Sequence, residues 1–173
     1  MKKIVVIGPE STGKSTLSEQ LAHHLHTVWV PEYARTYLDQ LNRPYEEADL
    51  LAIARGQLAS EDALAPQARE LLICDTDLYV IKVWSEHKYN TCHPWILEQI
   101  AQRHYDMYIL TNIDVPWVPD PQREHPQPEM RAYFFRIYLD IVIQSGLPWV
   151  LVQGDPAQRL HTALQAIHTL KNA

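Results

Sequence analysis

The sequence predicts an α/β protein in which helices cover both faces of one parallel β-sheet. Five short apolar runs alternate with longer amphipathic or polar stretches along the 173 residues, as is typical of parallel strands joined by crossover helices. The first run leads into GPESTGKS, from Gly8 to Ser15, which satisfies the pattern G-x-x-x-x-G-K-[ST]. These observations predict a three-layer P-loop NTPase fold with a five-stranded parallel sheet. We expect a single P-loop kinase domain over residues 1–173, with a lid region at about 117–131.

The strands are predicted from short runs of β-branched and other apolar residues, which indicate burial on both faces of a sheet. The five runs are Ile4–Ile7, Thr27–Val30, Leu71–Cys74, Met107–Leu110 and Trp149–Val152. Pro31 follows the second run and Asp75 the third, so we expect both strands to end there.

The helices are predicted between these strands. In the first helix, leucines recur at a spacing of four, which indicates an amphipathic helix. Asp155 and Pro156 supply an N-cap and a first-turn proline for the last helix. The predicted segments are Lys14–His26, Glu32–Gln67 with breaks near 42–44 and at Pro66, Asp77–Lys88, Pro94–Arg103, Glu129–Ser145 and Pro156–Leu170. The stretch 117–129 is rich in proline and charge without an apolar period, so we expect a mobile loop.

The composition limits the possible partners. The formal charge is −6 with scattered Lys and Arg, whereas nucleic-acid grooves and anionic membranes require a clustered basic surface. No run approaches the ~20 apolar residues of a membrane span. Cys74 and Cys92 show no pattern typical of a disulfide or zinc site. We therefore expect a cytoplasmic protein whose partner is a small molecule, with no nucleic acid and no membrane insertion; the oligomeric state stays open.

The motif at 8–15 lies between a predicted strand and a predicted helix, which is the context of a phosphate-binding loop. Its backbone N–H groups would surround phosphates at a helix N-terminus that favours anions. Lys14 would reach the β- and γ-phosphates, and the Ser15 hydroxyl would bind Mg²⁺. The residues expected to bind ATP are Gly8, Glu10, Ser11, Thr12, Gly13, Lys14, Ser15 and Thr16.

A pair of carboxylates, Asp75 and Asp77, follows the third predicted strand. Ligands bind at the carboxyl ends of strands in open α/β sheets. One carboxylate could hold Mg²⁺, with Asp75 and Ser15 as the metal pair, or accept the proton of an attacking hydroxyl. Alternatively, both aspartates only cap the following helix. If a single one is catalytic, Asp77 is the better candidate for a pure cap.

Two further polar groups are expected at the same edge of the sheet. Glu32, Tyr33 and Arg35 follow the second strand and could bind a polar substrate with an aromatic ring, although a helix start with an intrahelical ion pair explains them equally well. Arg123 in the lid and Arg131 on the next helix could stabilise charge on a transferred phosphoryl group. The alternative is that both arginines are solvated surface residues.

The order of these motifs resembles the ribosylnicotinamide kinase domain of the NadR-type NAD-biosynthesis proteins. The matching segments are GPESTGKSTL at 8–17, PEYAR at 31–35, Arg55-Gly56-Gln57, CDTD at 74–77 and WVPDPQR at 117–123. The resemblance implies ATP-dependent phosphorylation of the 5′-hydroxyl of nicotinamide riboside to nicotinamide mononucleotide. It implies substrate-binding roles for Glu32, Tyr33, Arg35, Gln57, Trp117 and Asp120, and catalytic roles for Lys14, Asp75, Asp77, Arg123 and Arg131.

Other functions remain compatible with these motifs. NadR-type proteins often carry an adenylyltransferase domain before the kinase, and without one the product should remain the mononucleotide. A kinase of another nucleoside or small alcohol would share the fold and the phosphate chemistry. A P-loop ATPase that regulates a partner is disfavoured because it would not need a second small-molecule pocket. In Thr111-Asn112-Ile113-Asp114 the Asn and Asp are one residue too close for the guanine-reading motif of a GTPase.

Overall fold

The computed structural model describes residues 1–172 and contains a five-stranded parallel sheet between layers of helices. The strands are β1 (Lys2–Ile7), β2 (Trp29–Val30), β3 (Leu71–Asp75), β4 (Met107–Thr111) and β5 (Trp149–Val152). The helices are α1 (Lys14–His24), α2 (Tyr33–Gln40), α3 (Glu47–Leu64), α4 (Leu78–Tyr89), α5 (Pro94–Gln102), α6 (Pro128–Gln144) and α7 (Pro156–Asn172). The predicted fold class and the five parallel strands are confirmed.

The strand order β2-β3-β1-β4-β5 places β1 at the centre of the sheet. Its register pairs Val6 with Asp75 on one side and Ile7 with Leu110 on the other. The loop after β1 therefore emerges between the carboxyl ends of β3 and β4. This register brings the phosphate-loop motif beside Asp75 and Thr111, which are far apart in the sequence.

The core has two halves because successive residues of a strand point to opposite faces. Ile4 and Val6 of β1 pack in a cluster with residues of α1 and α7. Val5 and Ile7 pack in a second cluster with residues of α4 and α6. All four side chains are fully buried, which explains why this strand is a continuous apolar run. Helices α2 to α5 share a third apolar cluster away from the sheet.

Two predicted boundaries, those of the second strand and the first helix, differ from the structure, whereas the predicted breaks within 32–67 are confirmed. Strand β2 has only two residues, because Thr27 bonds to the end of α1 and to the Leu71 carbonyl instead of extending the ladder. The long helical segment is two helices, separated at 41–46, plus a short 3₁₀ turn at Ala65–Gln67. Helix α1 ends at His24, since His26 has a φ of 51°. No helix in residues 1–172 has the length and apolarity needed to cross a membrane.

The break between α2 and α3 is organised by Asp49 in the first turn of α3. Its carboxylate accepts the Glu46 backbone N–H at 2.7 Å, while the Glu46 side chain completes a capping box. Arg43 donates to both carboxylate oxygens at 2.7 and 2.9 Å, and the Tyr37 hydroxyl donates at 2.7 Å. The Arg43 guanidinium and the Glu46 N–H hold the pKa of Asp49 well below its usual range.

We expect Asp49→Asn to lower the free energy of unfolding by about 1–2 kcal/mol at pH 7, the usual scale for hydrogen bonds to a charged group. A depressed pKa stabilises the fold above the unfolded-state pKa of ~3.9, and this contribution is lost as the pH falls. The difference from the wild type should therefore shrink towards pH 2. Urea unfolding at several pH values measures this difference in the free energy of unfolding. Asp140→Asn, on the exposed face of α6, is the control. A pH-independent difference would contradict this explanation.

Candidate active site

The phosphate loop is held by a close approach between Gly8 and the end of β4. A Cβ on Gly8 would lie 2.3 Å from Thr111 Oγ1 and 2.9 Å from its carbonyl oxygen, and Gly8 has a φ of 152°. The hydroxyls of Thr12 and Thr111 are 2.7 Å apart, and Thr12 also donates to the Pro9 carbonyl at 2.7 Å. The contacts with Thr111 at the end of β4 therefore fix the position of the loop before α1 begins.

A buried arginine on α7 supports the loop from the other side. Arg159 is 5% exposed and donates to the carbonyls of Thr12 at 2.7 Å, Gly154 at 2.9 Å and Asn112 at 3.1 Å. Its charge is balanced by Asp114, which also accepts the Gly154 N–H. The Asn112–Asp114 segment, which does not fit a guanine-reading motif, therefore contributes to the support of the phosphate loop.

Asp75 lies beneath this loop and lacks a full set of partners. It is 1% exposed, and its Oδ1 atom has no hydrogen-bond partner within residues 1–172. Burial and, to a smaller extent, the charge of Glu32 raise the pKa of Asp75 to about 6, although Lys14 and the Ser15 hydroxyl oppose the rise. An unpartnered buried carboxylate beside a serine hydroxyl is an oxygen donor set that suits Mg²⁺. The residues present therefore fit the metal predicted for Ser15 and Asp75.

Asp77 has a different environment, although only one residue separates it from Asp75. Its two oxygens accept the Tyr79 backbone N–H at 2.9 Å and the Tyr108 hydroxyl at 2.7 Å. It caps α4 and borders a separate polar cavity between α4, α5 and α6. Burial raises the pKa of Asp77 to about 6, against these two hydrogen bonds. Both oxygens are therefore engaged by the start of α4 and by Tyr108, as expected for the capping alternative.

One cavity joins the phosphate loop to an aromatic compartment. At one end it is lined by every residue of the loop from Gly8 to Thr16. Beyond the loop, α4 and α6 give it a largely aromatic and aliphatic wall. The apolar and aromatic lining side chains are Leu38, Val80, Val83, Trp84, His87, Trp117, Phe134 and Tyr138. The arrangement can hold a phosphate chain and a ring-bearing molecule in one continuous space.

The predicted substrate residues divide into two groups. Glu32, Arg35 and Trp117 line the cavity, whereas Tyr33, Gln57 and Asp120 do not. The Tyr33 ring packs over Gly56, where a Cβ would come within 2.0 Å of it. Gln57 is buried and accepts the Tyr33 backbone N–H at 2.7 Å, so it positions the segment that carries Glu32. Asp120 pairs with Arg35 at 2.6 Å.

Two arginines face the phosphate loop without a carboxylate partner. Arg123 donates to the Val118 carbonyl and the Ser11 hydroxyl. Arg131 donates to the carbonyls of Val115 and Ser11, and its Nε is buried without a partner within residues 1–172. Neither guanidinium forms a salt bridge in that part of the chain, and burial lowers the pKa of Arg131 from its usual value. Unneutralised guanidinium groups at this position suit a polyanionic ligand.

The lid segment is docked onto the phosphate loop. The Val118 N–H donates to the Ser11 hydroxyl at 2.9 Å, and the backbone N–H groups of Glu124 and His125 both donate to Glu10 Oε2, at 3.1 and 3.2 Å. The segment has no regular secondary structure, as its sequence predicts. Glu10, expected only to bind ATP, therefore also holds the lid.

Sequence reasoning missed the aromatic wall on α4. Val80, Trp84 and His87 are spaced by four and three residues, which places them on one face of the helix. The helix begins directly after Asp77, so its first two turns lie beside the carboxyl end of β3. This periodicity predicts a shared face, but that the face points to the cavity depends on how α4 packs. The contribution of Phe134 and Tyr138 from α6 depends on the packing of α6 against the sheet.

Comparison with known proteins agrees with the fold and the motifs. Residues 3–159 match the sequence model of the family described as an AAA domain. The chain is 25% identical over 161 residues to the trifunctional NAD biosynthesis/regulator protein NadR of Escherichia coli, which covers 90% of this chain but only 39% of that protein. The NadR of Salmonella typhimurium is 25% identical over 159 residues, with 88% of this chain and 38% of that protein covered.

Solved structures show the same fold. A crystal structure of NadR protein in complex with NR has a TM-score of 0.81 at 23% identity, covering 99% of this chain and 51% of that one. A thymidylate kinase from Ehrlichia chaffeensis has a TM-score of 0.59 at 15% identity, covering 98% of this chain and 97% of that one. At these identities the likeness shows the P-loop fold alone.

We expect Gly8→Ala to weaken nucleotide binding by at least about tenfold, because the new methyl group would displace Thr111 or move the loop off its anchor. The dissociation constant of ATP in isothermal titration calorimetry is the measurement. Gly146→Ala is the matched control, since Gly146 also has a positive φ, of 68°, but no atom lies within 4 Å of an added Cβ. Equal ATP affinities for the two variants would show that the Gly8–Thr111 contact does not shape the loop.

Proposed function

Because the chain belongs to the AAA domain family, whose phosphate loop it carries intact, we propose that it is a kinase that transfers the γ-phosphoryl group of ATP to the 5′-hydroxyl of nicotinamide riboside. The products are nicotinamide mononucleotide and ADP, in a step of NAD salvage. The observation that carries the proposal is the single cavity that joins the phosphate loop to an aromatic compartment. A regulatory ATPase has no need of the second compartment.

The phosphate end of the cavity supplies positive charge from three directions. Backbone N–H groups and Lys14 lie in the loop, while Arg123 and Arg131 approach from the lid and α6. Phosphoryl transfer spreads negative charge over the oxygens of the transferred group, so fixed cations at this position lower the barrier. We assign Lys14 to the β- and γ-phosphates and the two arginines to the charge that develops during transfer.

Mg²⁺ is part of the proposal. Ser15 and Asp75 would hold it, and when bound it would neutralise phosphate charge and orient the γ-phosphoryl group. The buried, unpartnered Oδ1 of Asp75 supports this assignment, because an isolated buried carboxylate is otherwise costly. Asp77 does not need a metal ion, since both of its carboxylate oxygens accept hydrogen bonds from the protein.

The attacking hydroxyl requires a proton acceptor, and Glu32 is the best-placed carboxylate. Three glutamates line the cavity, but Glu10 accepts two lid N–H groups and Glu124 accepts bonds from Tyr45 and Lys88. The Glu32 side chain has no hydrogen bond or ion pair in residues 1–172. In the reaction the 5′-oxygen bonds to the γ-phosphorus, the bond from that phosphorus to the β,γ-bridging oxygen breaks, and the hydroxyl proton passes to Glu32.

The acceptor is inferred from the chemistry of the aromatic compartment. Nicotinamide riboside carries a cationic pyridinium ring, which aromatic faces attract, and Trp84 and Trp117 both line the cavity. They take the role that the sequence suggests for Tyr33, whose ring packs against Gly56 instead. The carboxylate of Glu32, which lines the cavity, adds negative charge that favours a cationic acceptor over a neutral nucleoside. A NadR relative of the same fold has been solved with NR, which supports the choice.

The proposal concerns the kinase step alone. The chain spans about two fifths of the length of the curated relatives it matches, so their other activities are not assigned to it. We infer action in the cytoplasm, where ATP is abundant and where the free thiols of Cys74 and Cys92 would remain reduced.

An acceptor panel tests the function directly. ADP formation is followed with ATP and Mg²⁺ in the presence of nicotinamide riboside, uridine, cytidine, thymidine and adenosine. We expect kcat/KM to be highest for nicotinamide riboside, since it alone carries a positive ring for the aromatic wall. A higher kcat/KM for a neutral nucleoside would replace the proposal with a general nucleoside kinase, and acceptor-independent ATP hydrolysis would indicate a regulatory ATPase.

Three isosteric variants separate the roles of the carboxylates. Glu32→Gln should lower kcat by roughly two to four orders of magnitude, the usual scale for a positioned proton acceptor. Asp75→Asn should raise the Mg²⁺ concentration for half-maximal rate by at least about tenfold, because a charged ligand is lost. Asp77→Asn is the matched control and should change neither quantity by more than about threefold. A Mg²⁺ requirement that shifts in Asp77→Asn but not in Asp75→Asn would reverse the assignment.

A further inference from the structure

The aromatic wall of the acceptor compartment is hydrogen-bonded to the lid. Trp84 lines the cavity, and its indole N–H donates to the Tyr45 hydroxyl at 2.7 Å. The Tyr45 hydroxyl in turn donates to Glu124 Oε1 at 2.9 Å. Tyr45 lies in the connection between α2 and α3, whereas Glu124 belongs to the lid. The side chain that faces the acceptor ring is thus two hydrogen bonds from the lid.

The same lid residue is bonded to the phosphate loop through its main chain. Its backbone N–H and that of His125 converge on one oxygen of Glu10, at 3.1 and 3.2 Å. Glu10 is the third residue of the phosphate-loop motif. A continuous hydrogen-bonded path therefore runs from Trp84 through Tyr45 and Glu124 to Glu10, and it spans both ends of the cavity.

The middle of this path is reinforced by Lys88. Its ammonium group lies 3.4 Å from Glu124 Oε1 and 3.7 Å from the centre of the Tyr45 ring. The Tyr45 ring meets Trp84 edge to face at 4.7 Å. Burial raises the pKa of Tyr45, so its hydroxyl remains protonated and can donate to Glu124. These contacts hold Tyr45 in the one orientation that joins the wall to the lid.

We propose that Trp84, Tyr45, Glu124 and Glu10 form a relay that couples occupancy of the acceptor compartment to closure of the lid over the triphosphate. Tyr45 and Glu124 are positioning residues in this relay. The inference rests on the proposed function, because it requires an acceptor that packs against Trp84. An acceptor that fixes the Trp84 side chain also fixes those of Tyr45 and Glu124. The backbone N–H groups of the lid then remain hydrogen-bonded to Glu10.

Other lid contacts do not pass through the acceptor wall. The Val118 N–H bonds directly to Ser11, and Asp120 pairs with Arg35. These contacts would hold the lid whether or not an acceptor is present. Only the relay makes closure of the lid depend on the acceptor. Loss of the relay should therefore uncouple binding of the acceptor from binding of the triphosphate, without preventing either ligand from binding.

The test is the thermodynamic coupling between the two ligands, since coupled sites change each other's affinity by the same factor. Isothermal titration calorimetry gives the dissociation constant of nicotinamide riboside with and without saturating Mg²⁺ and AMP-PNP. We expect the analogue to tighten riboside binding by on the order of tenfold in the wild type. Tyr45→Phe, which keeps the ring, and Glu124→Ala, which keeps the backbone N–H, should reduce the factor to below about threefold.

Controls and a double variant distinguish a relay from a general loss of structure. Tyr89→Phe removes a hydroxyl that forms no hydrogen bond within residues 1–172, and Glu129→Ala removes an exposed carboxylate from the start of α6; both should keep the full factor. The combined Tyr45→Phe/Glu124→Ala variant should match each single variant, because members of one path are not additive. For Tyr45→Phe, whose side chain does not line the cavity, riboside affinity without the analogue should change by less than about threefold.

The relay is overturned if Tyr45→Phe keeps the wild-type factor or if the wild type shows no coupling. Failure of the proposed function looks different, because nicotinamide riboside would then bind neither alone nor with the analogue. In that case the same titration with the best acceptor of the panel decides the relay independently. With that acceptor, reduced coupling in Tyr45→Phe and in Glu124→Ala would support the relay, and unchanged coupling would reject it.

Discussion

The structure depends on the approach of the phosphate loop to the end of β4. The loop must turn its N–H groups towards a ligand while its own polar groups stay satisfied, and this requires contact with the neighbouring strand at Gly8 and Thr111. Arg159 supports the same loop from α7. The strand order places β1 between β3 and β4, so the loop that these contacts support also lies over Asp75. The position of every other group in the site follows from this arrangement.

The two ends of the cavity meet different physical requirements. The phosphate end is built from backbone, Lys14 and two arginines that form no salt bridge within residues 1–172, which suit any triphosphate. The other part of the cavity is built from side chains of α4, α6 and the lid, and in the proposed reaction these would determine which molecule accepts the phosphoryl group. Asp75 does not line the cavity but lies beside β1 under the phosphate loop, buried and incompletely bonded within residues 1–172. Such a carboxylate is unfavourable for folding, which is why we propose that it binds a metal ion.

Much of the fold could be predicted from the sequence because its signals are local. Strand runs, the phosphate-loop motif and the caps of α4 and α7 each occupy a few adjacent residues. The order of the strands is not local, and neither is the path by which Arg159 reaches Thr12. Within the site, substrate binding by Glu32, Arg35 and Trp117 stays a prediction, although all three line the cavity. Tyr33 and Gln57 do not line the cavity. Because Gly56 has no side chain, the Tyr33 ring packs against it between α2 and α3. The role of Trp84 required the direction of α4, which only the packed structure provides.

The most direct test of this description is a crystal structure of the protein with nicotinamide riboside, AMP-PNP and Mg²⁺. The central claim is that the phosphate loop, Asp75 and the aromatic wall form one site for both substrates. We expect the pyridinium ring against Trp84, the 5′-oxygen between Glu32 and the γ-phosphate, and Mg²⁺ on the Ser15 and Asp75 side of the phosphates. A riboside bound outside the cavity, or with its 5′-oxygen directed away from the γ-phosphate, would contradict the claim.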